Sequence, residues 1–223
     1  MPDAASSART GGRFGPRAFE FFLGRAEPVL ARLHGRDVAR EVIADTRVEH
    51  ARLEPKVPDI GGTANVFQPV MLLNGWLVAL HFAMKKRGKT AADAVEVFQT
   101  VADELLRTIP GPVLRAVGRL LLSSPVRRYF ASQAARSQNR EFDADFVWTV
   151  ESTPDGEFSF VFDECAVNKW YEVMGVEDLK PHCNFFDVTY SRLMNMGVDA
   201  TETIGKGCTQ CALRFKPGRE TRP

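Results

Sequence analysis

At Asn139 the spacing of the apolar residues changes, and that change limits what this 223-residue chain can fold into. Upstream, apolar side chains recur every three or four positions, the period of a helix that buries one face. Downstream, Phe142, Phe146, Trp148 and Val150, and then Phe158, Phe160 and Phe162, alternate with polar neighbours, the period of a strand. Thr153-Pro154-Asp155-Gly156 supplies a turn, so residues 144–153 and 157–165 read as an antiparallel hairpin. Helices are expected over 167–174 and 182–196, and a final strand pair over 199–204 and 209–216 with Gly205-Lys206-Gly207 as its turn. The predicted class is α+β: a helical N-terminal portion, 14–140, followed by a small antiparallel sheet flanked by helices, 141–223. The two portions are expected to form one compact unit, with residues 1–13 as a disordered tail.

In the helical portion, Phe19, Phe22, Leu23, Ala26, Leu30, Leu33, Val38, Val42 and Ile43 mark two helices between 16 and 53, separated at His34-Gly35. Pro55, Pro58 and Gly61-Gly62 punctuate a loop, and Pro69 suits the first turn of the next helix. Residues 60–84 contain no Asp, Glu, Lys or Arg, but Gly61, Gly62, Asn65, Gln68 and Asn74 interrupt the run. Its apolar part is too short for stable membrane insertion and reads as a helix packed on all sides. Thr90 with Asp93 forms a capping box for a helix ending near Thr108. From 113 to 137, Arg115, Arg119, Arg127, Arg128 and Arg136 lie among leucines and aromatics without an acidic residue. Such a stretch suits an anionic membrane surface or the mouth of an anion pocket. A solvated Arg-rich face over an apolar underside is preferred, and Pro125, which breaks the helix, weakens the membrane reading.

Lys and Arg number 29 against 28 Asp and Glu, so no global field recruits nucleic acid. The N-terminal stretch has no apolar run long enough for a signal-peptide core, and the expected location is cytoplasmic. There, clustered cysteines serve as reactive thiols or metal ligands rather than staples. All four lie in the last quarter: Cys165, Cys183, Cys208 and Cys211. Cys208-x2-Cys211 has a zinc-ligand spacing that Cys165, Cys183 or His182 could complete, but no second close ligand pair exists. The preferred reading has no metal and no cofactor, with a zinc-stabilised structural protein as one alternative. His34, His50 and His81 are isolated, and no phosphate-binding glycine loop, Gly-x-Ser-x-Gly elbow or His-Glu-x-x-His pair occurs.

On a helix over 182–196, Cys183 and Asp187 are four apart and face one side, where a carboxylate can take a proton from a thiol or a water. His182, about 100° away around the helix, faces elsewhere. Thr201 and Thr203 share one face if their strand is regular, and Arg214 can pair a ligand carboxylate or a surface acid.

The order Cys165, then Pro181-His182-Cys183 with Asp187, then Thr201-Glu202-Thr203-Ile204-Gly205-Lys206-Gly207 leading to Cys211-Ala212-Leu213-Arg214-Phe215, resembles the L-2-amino-thiazoline-4-carboxylic acid hydrolase family. The family pattern is a Cys, Cys-x3-Asp, Arg-Thr-x-Thr and a terminal Cys-Asp-Phe-Arg. Pro58-Asp59-Ile60-Gly61-Gly62 before an apolar helix resembles the same family more weakly. Ala200 stands where the pattern has Arg, and Ala212 where it has Asp. The resemblance implies a cofactor-independent hydrolase opening a small thiazoline-, amidine- or lactam-like ring. Cys183 and Asp187 would be catalytic, and Cys165, His182, Thr201, Thr203, Cys211 and Arg214 would bind the small-molecule substrate. The C-terminal segment also looks like vinyl-reductase-type ligand-binding domains, which implies a non-catalytic sensing module as the alternative. A homodimer is the expected assembly for a compact enzyme of this kind.

Overall fold

Gly35 separates the first two helices at φ 93°, a backbone setting that side chains with a Cβ rarely adopt. The computed structural model describes residues 15–153 and 157–223. The expected tail, and Pro154-Asp155-Gly156 of the expected turn, lie outside the described residues. Two compact units divide the chain between Val101 and Ala102.

In the first unit, α1 (Pro16–His34) and α2 (Arg36–Leu53) precede α3 (Gln68–Lys85), with α4 (Ala91–Arg107) beginning in this unit and ending in the second. Helix α3 is buried on nearly every side, from Met71 through Leu77 and Leu80 to Met84, which accounts for the lack of charge before its last residue, Lys85. Trp76 stands 5.6 Å, ring to ring, from both Phe19 and Phe22 of α1. In the loop before α3, Asp59 Oδ1 accepts hydrogen bonds from the Gly61 and Gly62 amides, and the Gln68 side chain accepts one from the Ile60 amide. The capping box closes as read: the Thr90 amide donates to Asp93 at 2.7 Å, and the Asp93 amide to the Thr90 hydroxyl at 3.2 Å. Among the described residues no helix is long and apolar enough to cross a membrane.

The second unit contains α5 (Gly111–Leu121), α6 (Ser124–Ser137), α7 (Ala166–Met174) and α8 (Phe185–Met194) around four strands. These are β1 (Val147–Ser152), β2 (Phe158–Glu164), β3 (Val198–Glu202) and β4 (Cys211–Phe215), antiparallel throughout in the order β1-β2-β4-β3. The class is α+β, with helices leading into a small antiparallel sheet. Trp148 pairs with Phe162 and Phe162 with Cys211, while Phe160 pairs with Leu213 and Phe158 with Phe215. Directly opposed residues share a face, so this register makes one apolar face with Cys211 at its end. Helix α6 covers that face: the Phe130 ring lies 5.0 Å from Phe160, and the Arg127 guanidinium sits 4.8 Å over Phe158.

Two elements differ from the sequence reading. The helix expected over 182–196 is a 3₁₀ turn, Glu177–His182, followed by a joint at Cys183-Asn184 and then α8. Pro181, which lacks an amide hydrogen, sits in that turn, and the Asn184 side chain donates to the Ala200 carbonyl at 2.9 Å instead of capping α8. The second is β3, which ends at Glu202 after its register slips between Asp199 and Glu202. Residues Ile204–Lys206 then form a 3₁₀ turn in place of the simple hairpin turn.

Candidate functional site

Three thiols and one carboxylate converge in the second unit from three separate pieces of chain. Cys165 is the residue between β2 and α7, Cys183 lies between the 3₁₀ turn and α8, Asp187 is in the first turn of α8, and Cys211 opens β4. Each is close enough to act on the others. Burial comes first in pushing the Cys183 thiol up to about 12, and the negative charges of Cys165 and Asp187 add to it. Cys211 is raised by burial and then by Cys183, Cys165 and Asp187; Cys165 is raised by burial and also feels Asp187. Asp187 itself is lifted by burial to about 6, against the hydrogen bond that the Tyr190 hydroxyl donates at 2.8 Å. At neutral pH the thiols keep their protons and Asp187 is mostly ionised. Tyr171 and Tyr190, both pushed well up by burial, stay neutral hydroxyls.

The exposure of the cluster points to a hollow beside it. Cys165, Cys183, Asp187 and Tyr190 are each only half-buried by accessible surface, although loss of water is the leading influence on every one. Groups that lie deep in the protein and still present surface line a concavity. Two further polar side chains belong to it. Asn168, on the first turn of α7, is 4 % exposed, and neither its carboxamide nitrogen nor its oxygen has a hydrogen-bond partner. Thr203 is fully buried, and its hydroxyl likewise lacks one. Both lie near enough to Cys183 to favour its thiolate, and Asn168 does the same for Cys165. Neither approach has the geometry of a formed hydrogen bond, so these groups stand beside the thiols with their bonding capacity unmet. An unmet buried polar group costs about 1–3 kcal/mol, which a ligand of matching polarity would recover.

Backbone contact fixes the wall on the Cys183 side. A Cβ at Gly205 would collide with the Lys180 carbonyl oxygen and come within 3.0 Å of Cys183 Sγ. The glycine therefore lets the Ile204–Lys206 turn press against the residues that carry Cys183. The Ile204 amide, in the same turn, points at Cys211 and moderates its rise.

Of the residues singled out in the sequence, Cys165, Cys183, Asp187, Thr203 and Cys211 come together. Thr201 does not join them. The slip in β3 breaks the expected alternation, leaving Thr201 exposed with its hydroxyl donating to Asp199 at 2.8 Å. Arg214 pairs with Glu202 at 2.5 Å, and His182 ends the 3₁₀ turn half-buried. Cys208 is exposed while Cys211 is buried, so the Cys-x2-Cys spacing does not make a joint site. Among the described residues no group of three or more His, Cys, Asp or Glu is placed to hold a metal ion. Asn168, Tyr171 and Tyr190 were not legible as site residues. The available signals were short spacings, Cys165-x2-Asn168 across a helix start and Asp187-x2-Tyr190 within a helix.

A family model described as L-2-amino-thiazoline-4-carboxylic acid hydrolase matches residues 75–215, more than half of the chain. The chain belongs to that family. The match takes in β1 to β4, α5 to α8 and the whole thiol–carboxylate cluster. No curated protein and no solved structure matches the chain.

Proposed function

We propose that this member of the aminothiazoline carboxylate hydrolase family is a cofactor-independent hydrolase of a small cyclic C–N substrate, thiazoline-, amidine- or lactam-like. What supports this reading is the gathering of the Asp187 carboxylate, lifted by burial to about 6, with the protonated Cys183 thiol and the unpartnered, buried Asn168 and Thr203 side chains. A general base is most effective when its pKa lies near the working pH. Cys183 cannot hold a thiolate unaided, so attack by its sulfur, or by a water, on the C=N or carbonyl carbon requires a base to accept the proton. Asp187 fills that role. The electrons displaced onto the ring nitrogen or carbonyl oxygen return and expel the ring heteroatom, which takes the proton back from Asp187. Where the sulfur attacked, a water then adds to the same carbon with Asp187 again taking its proton, the C–S bond breaks, and Cys183 recovers the proton. Tyr190, donating to the same carboxylate, orients it.

A panel of cyclic amidines, thiazolines and small lactams, with product detected by mass spectrometry, tests this directly. Cys183→Ala and Asp187→Asn should each lower turnover by about 10²-fold or more while the protein stays folded by circular dichroism. Full activity in both removes this centre. A metabolite retained in native mass spectra with no conversion across the panel would instead fit a sensing module. The same reading has the protein act in the cytoplasm, where its four free cysteines stay reduced, and as a homodimer, which light scattering on the purified protein decides.

A further inference from the structure

We infer that helix α5 is a membrane-contact element: its exposed apolar ridge and the arginines beside it seat on an anionic lipid surface. The helix carries more apolar side chains than its packing uses. Leu114 and Gly118, with Leu122 just past the helix end, are buried, and a Cβ at Gly118 would collide with the Met194 carbonyl oxygen at the end of α8. That ridge is the packed one. Val113, Val117 and Leu120, at i, i+4 and i+7, form the next ridge around the helix, yet they are 49 %, 37 % and 62 % exposed. Single exposed aliphatics are ordinary on a protein surface, but three stacked on one face of an 11-residue helix make a continuous strip. The apolar side of this stretch, expected as an underside, is partly turned outward.

Charge limits what the strip can meet. Residues 111–140 hold six arginines and no Asp, Glu or Lys. Arg127 is used inside the fold, over the Phe158 ring and on the Leu122 carbonyl, and Arg140 pairs with Glu164. Arg115, Arg119, Arg128 and Arg136 are exposed and have no acidic partner among the described residues. Arg115 and Arg119 form the ridge that borders the strip across the exposed Ala116. Their aliphatic stems can lie along apolar surface while the guanidiniums reach phosphate or carboxylate oxygens, the arrangement of a helix lying in the plane of a bilayer.

Other occupants fit less well. A second copy of this face would set arginine against arginine with no acid to pair it. A protein partner would need about 800 Å² of matching surface, and one ridge of a helix about 16 Å long offers far less. A fluid lipid surface needs no such matching. Because no helix among the described residues is long and apolar enough to cross a membrane, the contact lies along the surface.

Co-sedimentation of the full-length protein with vesicles tests this, using phosphatidylcholine alone and phosphatidylcholine mixed with an equal part of phosphatidylserine. The anionic vesicles should take up at least about tenfold more protein. Arg115→Gln together with Arg119→Gln should lower that partition by about tenfold, and Val113→Ser together with Leu120→Ser by about fivefold. These side chains are exposed, so both variants should keep the wild-type fold by circular dichroism. Equal uptake by the two vesicles, or uptake unchanged in either double variant, overturns the inference. No uptake by either vesicle, as would hold if the arginines served an acidic protein, also overturns it. So does a wild-type dimer that Val113→Ser with Leu120→Ser turns into monomers in lipid-free sedimentation, which would give the face to a second copy.

Discussion

Asp187 and Cys183 show how little of a side chain's chemistry is written in its identity. A carboxylate is ordinarily ionised well below neutrality and a thiol titrates within reach of it, yet burial lifts the first to about 6 and the second to about 12. Thiol reactivity follows thiolate content and access. Iodoacetamide at neutral pH should therefore label the exposed Cys208 first, with Cys165, Cys183 and Cys211 modified far more slowly; peptide mass mapping over time would show it. Rapid labelling of Cys183 would mean its thiolate is stabilised beyond what its surroundings supply. Spacing and resemblance made Cys183 and Asp187 legible. Asn168 and Tyr190 were not, because each is an ordinary helix residue until the fold brings Cys165, Cys183 and Asp187 together. Thr201 misled for a definite reason: alternation assumes a regular strand, and β3 slips its register there.

At the scale of elements, breakers and periods were read well, and adjacency was not. His34-Gly35, Pro69, the Thr90 box and Pro125 fall where helices start or stop. Alternation at Phe158, Phe160 and Phe162 identifies β2 but cannot say that its second neighbour is β4, since a strand's period carries no information about its partner. The Ile204–Lys206 turn was hidden for a similar reason: its conformation is set by contact with Lys180 and Cys183, far back in sequence. Gly205→Ala places a Cβ in that contact and must push the turn off the residues carrying Cys183. A stability loss of about 1–3 kcal/mol is expected in chemical denaturation, with turnover falling further than the loss of folded protein explains. Wild-type stability and activity would show that the turn yields freely.

For the molecule as a whole, two sets of carboxyls pull stability in opposite directions with pH. The Arg47 guanidinium holds Glu20 below its usual value, the Thr90 amide does so for Asp93, Arg107 for Asp103 and Lys169 for Glu164. Depressed groups contribute stability above their unfolded values, and that contribution is lost as pH falls through the folded ones, so melting temperature should drop below about pH 4. Asp187 has the opposite sign. Its raised value favours the folded state while it is protonated, and stability declines as pH rises from about 4 through about 6. Asp187→Asn should therefore melt no lower than wild type at pH 7, the pattern of a functional group held at a cost in stability. A clearly lower melting temperature for the variant at pH 7 would show that the ionised carboxylate supports the fold.

The pH dependence of kcat/KM on a ring that the enzyme opens bears most directly on Asp187 as the base beside Cys183. The wild-type rate should rise through a midpoint of about 6 and stay level to pH 8, and Asp187→Asn should be slower by about 10²-fold or more without that rise. An Asp187→Asn protein that keeps the wild-type rate and the same ascending limb would contradict it.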